Sequence, residues 1–321
     1  RVSWDEALTA VAAKLQEIGQ RYGQNSVAWM TSIMPNLASG GYSRLASLTK
    51  GTVIDWWSCG DAAGPCAGIA TFGYRRGDVH LISDPNPRLV IVWGYNPALT
   101  NYDHMRKIVR AKKKGAKVVV IDPRFTATSA HADEHIPIRP GTDGALALGM
   151  INVILQQGLR DRHLIAEDTV GPLLVRRDNG LFLRERDVMP AGRPDVLMII
   201  DDYSGRRQAV GTPQAKPAIN GTFSISGTDC QPAFQVLSDM VSEYTPEKVS
   251  QITDIPADVI RRLAVDYGSR RPASIYRGWG MQRTFYGDLA CRAINTLAVV
   301  TGNINPDRPS TFVLNSHKFL V

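Results

Sequence analysis

The sequence predicts an α/β protein organised around parallel strands, and three neighbouring segments carry that prediction. Two continuous apolar runs, Leu89–Trp93 and Lys117–Ile121, are typical of strands buried on both faces. Between them, residues 103–114 place apolar side chains at helical spacing, and Gly115 follows as the residue that ends the helix. These segments form one β-α-β unit, for which we expect a right-handed crossover.

Polar residues and glycine follow both predicted strands directly. Gly94 and Asn96 come after the first strand, and Asp122 and Arg124 come after the second. Because open α/β sheets bind ligands at the carboxyl ends of their strands, we expect these residues at one crevice, where the acidic residue could bind a ribose or base. The G-x-G-x-x-G motif is absent after the first strand, which disfavours a nicotinamide site but not another nucleotide.

The amino-terminal region predicts two helices and a strand. Residues 4–22 carry an apolar helical stripe, and Ser3 with Glu6 has the spacing of a capping box. The next elements are predicted to be a short strand over residues 27–30, a glycine turn at residues 40–41 and a helix over residues 42–49.

The glycine-rich segment 52–73 contains three potential metal ligands, Ser58, Cys59 and Asp61, within four residues. The neighbouring glycines allow a bulky group to approach the backbone. From the residues alone, the alternative is the start of a glycine-rich helix with Asp61 as its N-cap.

A second candidate binding segment precedes a helix predicted over residues 144–157. Residues 130–135, A-H-A-D-E-H, do not match the zinc motif H-E-x-x-H and are predicted to form a polar loop. Gly141, Thr142 and Asp143 then lead into the helix. Thr142 and Asp143 are suited to cap it, and its amino end favours an anionic ligand.

The second half of the chain predicts a β-rich excursion and then helices around one more strand. Residues 171–226 are expected to form hairpins that turn at residues 178–180 and 204–205. Further elements are predicted as a helix starting at residues 245–248, a helix over 256–268, a strand over 273–276 and a helix over 288–300. In the loop after this strand, Gly278 and Gly280 could allow a phosphate or pterin to approach the backbone closely. Arg283 could then pair with the negative charge of that group. A tight turn without a ligand is the alternative.

Composition is that of an ordinary globular protein. The 321 residues are 44% hydrophobic and 21% charged, with a net charge of +7. No apolar run reaches the roughly 18 residues of a membrane helix, so no span is expected. The basic residues are dispersed apart from Lys112–Lys114 and short arginine pairs, and no aromatic-basic motif supports nucleic-acid binding. The cysteines, Cys59, Cys66, Cys230 and Cys291, form no C-x-x-C pair.

Five ordered motifs resemble the molybdopterin oxidoreductases of the dimethyl sulfoxide reductase family. They are V-S-W-D-E-A-L at residues 2–8, W-G-Y-N-P at 93–97, I-D-P-R at 121–124, I-R-P-G-T-D-G-A-L at 138–146 and L-A-V-V-T-G-N-I at 297–304. The resemblance runs from end to end, and the order and spacing of the motifs both match. It implies two Rossmann-like three-layer α/β domains, one of them discontinuous, with a β-hairpin excursion.

The resemblance also implies a cofactor, bis(molybdopterin guanine dinucleotide) molybdenum, and the residues that bind it. Asp143 is expected to contact the guanine. The full set of expected cofactor-binding residues is Trp93, Gly94, Asn96, Pro97, Asp122, Arg124, Gly141, Thr142, Asp143, Gly278, Gly280 and Arg283.

One branch of the family, with nitrate and selenate reductases and ethylbenzene dehydrogenase, uses aspartate as the molybdenum ligand. The motif L-V-R-x-D-x-G-x-F-L-R-E at residues 174–185 and the pair Asp55-Trp56 resemble that branch. They imply that Asp61 is the metal ligand and catalytic residue. Cys59 is the main rival and Ser58 the third candidate.

We expect residues 1–60 and 230–321 to form the discontinuous domain and residues 61–229 the inserted domain that carries the β-α-β unit. By resemblance, the chain is the central fragment of a catalytic subunit. It would lie between a segment that carries a 4Fe-4S cluster and a β-rich cofactor domain. The expected reaction is oxygen-atom transfer or hydroxylation of a small molecule, with electrons leaving through iron-sulfur centres and a partner iron-sulfur subunit.

By the same resemblance, the parent protein is expected to be periplasmic or membrane-associated. The alternative from another functional class is a non-catalytic α/β nucleotide-binding or scaffold module of a redox complex.

Overall fold

The structure, a computed structural model, describes residues 1–30, 36–54, 62–72 and 86–304. The helices are α1 (Trp4–Tyr22), α2 (Asn36–Thr49), α3 (Ala63–Phe72), α4 (Pro97–Thr100), α5 (Tyr102–Lys113), α6 (Asp143–Gln156), α7 (Arg162–Glu167), α8 (Ala233–Ser242), α9 (Pro246–Thr253), α10 (Ala257–Ser269) and α11 (Gly287–Val300). The strands are β1 (Ala28–Met30), β2 (Thr52–Ile54), β3 (Leu89–Trp93), β4 (Lys117–Ile121), β5 (Glu134–Ile136), β6 (Leu174–Arg176), β7 (Met198–Ile200), β8 (Arg207–Ala209), β9 (Phe223–Ile225), β10 (Thr228–Pro232) and β11 (Ala273–Arg277).

The chain divides into two compact units, Arg1–Ala62 and Ala63–Val321. In the first unit, α1 begins at the predicted capping box, in which the Ser3 and Glu6 side chains each accept a hydrogen bond from the other residue's backbone N–H. Strands β1 and β2 pair in parallel with α2 between them in the chain, so this unit contains a second β-α-β arrangement. The predicted glycine turn at residues 40–41 is wrong, because both glycines lie within α2.

The second unit is built on a four-stranded parallel sheet with strand order β11-β3-β4-β5. One face of β3 and β4 packs against α5, where Val90 and Val118 meet Ile108. The other face packs against α6 and α11, where Ile91 contacts a core that includes Met150. Strands β3 and β4 therefore lie in the middle of three layers, which explains why they are continuous apolar runs. The α/β class with parallel sheets is confirmed.

The predicted β-α-β unit has the expected bounds. Strands β3 and β4 span the two apolar runs, and α5 ends at Lys113. Gly115, two residues after the end of α5, has φ 95°. This conformation favours glycine and ends the helix.

Three strands, β2, β5 and β10, were not expected from the sequence. Residues 134–136, predicted to lie in a polar loop, form the edge strand β5, because their backbone pairs in parallel with β4. In the excursion, the turns at residues 178–180 and 204–205 are present, with positive φ at Gly180 and Gly205. The main partner of β6 is β10, which extends this antiparallel region beyond residue 226.

The main sheet contains strands from both of the ranges that the predicted domain division separates. Strand β11 comes from the range assigned to the discontinuous domain, yet it pairs with β3 from the range assigned to the inserted domain. The T-G-N motif at residues 301–303 contributes to this arrangement, since Asn303 Oδ1 accepts a hydrogen bond from Ala273 N, the first residue of β11. Packing of residues 1–60 against other parts of the chain stays a prediction.

Among the described residues, none of the helices combines the length and the apolar character needed to cross a membrane.

Candidate functional site

The parallel strands of the main sheet end along one edge, and the strand order reverses between β3 and β11. From β3 the chain proceeds to β4 and β5, whereas β11 lies on the opposite side of β3. Such a reversal is the topological switch point at which open α/β sheets bind ligands. The loops after β3 and β11 meet there, because Gly278 N donates a hydrogen bond to the carbonyl oxygen of Trp93 at 2.8 Å.

Three of the predicted glycines let these loops approach each other. A Cβ at Gly278 would overlap the carbonyl group of Gly94, and one at Gly280 would lie 3.3 Å from the same oxygen. Gly94 has φ 55°, and a Cβ there would lie 3.2 Å from Cε of Met281. Close backbone approach therefore accounts for Gly278 and Gly280, whereas positive φ and contact with the Met281 side chain account for Gly94.

Trp93 and Asp143, predicted from separate motifs, form a buried pair. Trp93 is fully buried, and its Nε1 donates to Asp143 Oδ1 at 2.8 Å. Burial raises the pKa of the Asp143 carboxyl. The hydrogen bond from Trp93 opposes this rise, and the negative charge of Asp122 adds to it. Trp93 thus contributes to the site by fixing the carboxylate at the start of α6.

Thr128 holds the loop after β3 in place, and sequence reasoning missed it. Asn96 Oδ1 accepts a hydrogen bond from Thr128 Oγ1 at 2.7 Å, and the same hydroxyl accepts one from Ala98 N at 3.1 Å. Pro97 is buried at the first position of α4. Thr128 and Asn96 are 32 residues apart, so no local sequence signal connects them.

Asp122 and Arg124 form the turn after β4. Asp122 Oδ1 accepts a hydrogen bond from Arg124 N at 2.9 Å, which fixes the carboxylate on its own turn. His135 Nε2 donates to the carbonyl oxygen of Asp122 at 2.9 Å and ties this turn to β5. The Arg124 side chain is exposed, so its guanidinium is accessible to an anion.

The turn before α6 lies beside the loop after β11. Gly141 has φ 79°, and a Cβ there would lie 3.8 Å from Cβ of Thr284. Thr142 is the N-cap residue by position, but its hydroxyl donates to the carbonyl oxygen of Arg139 at 2.7 Å and makes no capping hydrogen bond. The prediction that its side chain caps α6 is therefore wrong.

The loop after β11 also contains a buried amide that no sequence motif indicated. Gln282 is 2% exposed, and neither its Oε1 nor its Nε2 has a hydrogen-bond partner among the residues that the structure describes. An unsatisfied buried amide costs free energy, so it marks a place where a ligand could supply the missing partners. The exposed Arg283 lies next to it, with its guanidinium carbon 5.3 Å from the centre of the Trp279 ring.

A buried aromatic cluster supports the loop after β3 from the α5 side. The Tyr95 hydroxyl and His104 Nδ1 are 2.9 Å apart, and the His104 ring lies 5.5 Å from that of Tyr276. Burial lowers the pKa of His104 and raises that of Tyr95 to about 12, so both groups are neutral at pH 7. Since Tyr95 lies between Gly94 and Asn96, this cluster fixes the position of the predicted binding loop.

The predicted metal ligands Asp61 and Cys59, and the third candidate Ser58, lie outside the described residues. The alternative role of Asp61 as a helix N-cap lies outside them too, although α3 begins two residues later. Within the described parts of the chain, His, Cys, Asp and Glu side chains form no cluster of three that could hold a metal ion. Both ligand assignments stay predictions.

Relatives of known sequence cover almost the whole chain. It is 29% identical to perchlorate reductase subunit alpha of Dechloromonas aromatica, over 94% of this chain and 37% of the relative. It is 31% identical to the putative dimethyl sulfoxide reductase chain YnfE of Escherichia coli, over 95% of this chain and 34% of the relative. Its identity to dimethyl sulfoxide reductase DmsA of the same organism is also 31%. The chain therefore spans about a third of the length of these relatives.

A solved structure supports the fold, and a family model gives the family. Acetylene hydratase from Pelobacter acetylenicus superposes with a TM-score of 0.58 at 24% identity, covering 95% of this chain and 33% of that one. The family model for molybdopterin oxidoreductases matches residues 1–320. The chain accordingly belongs to the molybdopterin oxidoreductase family.

Proposed function

We propose that this chain is the central part of the catalytic subunit of a molybdenum-dependent oxidoreductase, and that it binds bis(molybdopterin guanine dinucleotide). The reaction would be oxygen-atom transfer or hydroxylation of a small molecule, coupled to two-electron transfer through iron-sulfur centres. The observation that carries the proposal is the buried, unpartnered amide of Gln282 at the switch point of the sheet.

The residues at this edge fit a pterin cofactor with phosphate groups. Such a cofactor presents hydrogen-bonding ring edges, and Gln282 offers an NH2 donor group and a carbonyl acceptor that the described residues leave unused. The close approach of the Gly94 and Gly278 backbones keeps the loops after β3 and β11 together at this edge, where both could contact the cofactor. Arg124 and Arg283 are exposed cations suited to phosphate oxygens.

The two carboxylates are suited to a guanine ring and a ribose. An ionised carboxylate accepts hydrogen bonds only, and guanine presents adjacent N–H donors. Asp143 is buried and already oriented by Trp93, so it can receive such donors without reorganisation. Asp122, fixed on its own turn, lies close enough to influence the Asp143 pKa. When bound, the cofactor supplies the two-electron redox chemistry of molybdenum, while these residues bind and orient it.

Asp61 is the residue we propose as the protein ligand of molybdenum. A carboxylate is a hard oxygen ligand suited to a high-valent metal, and Asp61 follows the pair Asp55-Trp56 that resembles the aspartate-ligated branch. We expect Asp61→Ala in the full-length protein to abolish turnover while Cys59→Ala has little effect. X-ray absorption that shows a sulfur ligand beyond the four pterin thiolates would transfer the role to Cys59.

We further propose the surroundings of this chain in the full-length protein. Several relatives are named as alpha subunits, which supports assembly with other subunits. We propose a 4Fe-4S cluster in the parent protein, an iron-sulfur partner subunit, and a periplasmic or membrane-associated location.

Metal and pterin analysis of the full-length protein tests the proposal. We expect stoichiometric molybdenum and two pterins, with Asp122→Ala lowering cofactor content more than it lowers folding, since each charged hydrogen bond contributes about 1.5–3 kcal/mol. A folded full-length protein without molybdenum or pterin would instead support the non-catalytic scaffold module. Normal cofactor content in Asp122→Ala would refute the role of that carboxylate.

A further inference from the structure

Most of the net charge of the chain is concentrated on α5 and the residue after it. Residues 102–114 contain six basic residues and one acidic residue, a net charge of +5, compared with +7 for all 321 residues. A helix of this length that carries five surplus charges produces a local positive potential, whereas the other 308 residues carry a net charge of only +2.

The geometry of α5 places this charge on one exposed face. Met105, Ile108 and Ala111 are buried against the sheet. The opposite side exposes Arg106, Lys107, Arg110, Lys113 and Lys114, which follow one another at helical spacing. We call these five residues the α5 basic face.

Ion pairs within α5 and the interaction with the helix dipole compensate only part of this positive charge. Arg106 and Lys107 both pair with Asp103, at 2.9 Å and 2.6 Å, so one carboxylate serves two cations. Arg110 and Lys113 form no ion pair with any residue that the structure describes. Cations in the last turn of a helix interact favourably with the helix dipole. One or two cations are enough for this stabilisation, so it does not explain the others.

An exposed aromatic side chain lies at the amino end of the same face. Tyr102 is 82% exposed and precedes Arg106 by one helical turn. Tyrosine and arginine are among the residues that most often dominate the binding energy of protein interfaces. The combination of a charged strip with an aromatic residue at one end therefore has the composition of an interface.

We propose that the α5 basic face, together with Tyr102, docks onto an acidic surface of the partner subunit that exchanges electrons with this protein. The identity of the partner rests on the proposed function, whereas the docking surface rests on the charge distribution. Complementary charge would accelerate association and fix the orientation of the two proteins, and Tyr102 would supply the desolvated contact.

The same features argue against a lipid surface as the occupant. Helices that bind membranes through an interface insert an apolar face into the lipid, but the apolar side of α5 is already buried against β3 and β4. Along the basic face itself, no apolar side chain lies between Arg106 and Lys114 on the exposed side. Electrostatic docking to a rigid acidic surface fits this arrangement better.

The test compares two charge reversals of equal size in the full-length protein. R110E/K113E changes the two unpaired cations of the α5 basic face, and R206E/R207E changes two exposed arginines on the β7–β8 hairpin as a matched control. The probe is the iron-sulfur subunit purified from the assembled wild-type complex, and its dissociation constant is measured at low and high NaCl concentration.

We expect R110E/K113E to weaken binding about tenfold at low salt, and the difference to shrink at high salt because exposed charges are screened. Y102S should weaken binding at both salt concentrations, and R206E/R207E should change it less than about twofold. Equal effects of the two reversals, no effect of the first, or purification without any partner subunit would overturn the proposal.

Two further measurements distinguish the possible failures. The first is binding to vesicles of phosphatidylcholine and phosphatidylglycerol. If R110E/K113E loses vesicle binding but still binds the subunit like the wild type, the occupant is a membrane surface and the proposal is rejected. Molybdenum content and turnover with a reduced viologen should be the same in wild type and R110E/K113E. A wild-type protein without molybdenum and without turnover would refute the proposed function, but it would not change the result for docking.

Discussion

The two ends of the parallel strands in the β11-β3-β4-β5 sheet, which we call its amino edge and its carboxyl edge, differ in how their polar groups are paired. At the amino edge, Lys117 Nζ lies 2.9 Å from Asp266 and 3.2 Å from Glu134, and Arg262 also pairs with Glu134. These partly buried charges satisfy one another and join β4, β5 and α10. At the carboxyl edge, by contrast, glycines bring loops together and the Gln282 amide is left without a partner.

This difference indicates which edge contributes stability and which contributes binding. A network whose charges are paired lowers the free energy of the folded chain, whereas an unsatisfied amide and a buried carboxylate raise it. The carboxyl edge therefore carries a cost that a bound ligand can offset. Substitutions at four positions test this contrast, beginning with the largest expected effect.

Gly278→Val should destabilise the protein most, because its Cβ would overlap the Gly94 carbonyl and force the two loops apart. We expect a loss of about 3 kcal/mol in the free energy of unfolding, measured by urea denaturation. Gly280→Ala is the matched control, since its Cβ would lie 3.3 Å from the same oxygen and should cost clearly less. Equal losses in both variants would contradict a role for close backbone approach at Gly278.

Asp143→Ala should cost about 2 kcal/mol, because it leaves the buried N–H of Trp93 without an acceptor. Asp143→Asn retains the acceptor and removes the buried charge. Since the folded pKa of Asp143 is raised, its favourable contribution is present below the unfolded pKa of 3.8 and is lost as pH rises. Asp143→Asn should therefore be more stable than wild type at pH 7, with the gain disappearing in acid; lower stability at pH 7 would contradict the assignment.

Glu134→Gln tests the amino edge and should show the opposite pH dependence. Hydrogen bonds from Arg262 and Lys117 hold the Glu134 pKa below its usual range, although burial opposes them. Its contribution is present above the unfolded pKa of 4.5 and is lost as pH falls through the folded value. We expect a loss of about 1–2 kcal/mol at pH 7 in thermal or urea unfolding, which disappears in acid. A loss that does not change with pH would argue against the ion network.

Thr128→Val should have the smallest effect on stability, about 1 kcal/mol, because it removes the hydrogen bonds to Asn96 and Ala98 but keeps the side-chain volume. We expect a larger consequence for binding, since the loop after β3 loses its lateral support. In the full-length protein, pterin content should fall more than stability does. Thr126→Val is the control and should leave pterin content unchanged, since within the described ranges the hydroxyl it removes bonds to Ser129 alone.

The parts of the fold that the sequence predicted are those with short-range causes. Continuous apolar runs predicted β3 and β4 because strands in the middle of three layers are buried on both faces. The capping box at Ser3 and the positive φ at Gly115 were predictable because each involves residues only a few positions apart. The candidate site was partly predictable for the same reason, since residues that follow parallel strands must lie at one edge.

What only the tertiary structure decided depends on partners far apart in the chain. Strand β5 looked like a polar loop because Glu134 is charged, yet Arg262, 128 residues away, pairs with that charge and makes the edge strand possible. The buried state of Gln282 and the contact between Thr128 and Asn96 depend in the same way on elements brought together by folding. The sequence by itself determined which residues occupy the carboxyl edge, and the fold decided which of them are fixed by protein partners and which are left for a ligand.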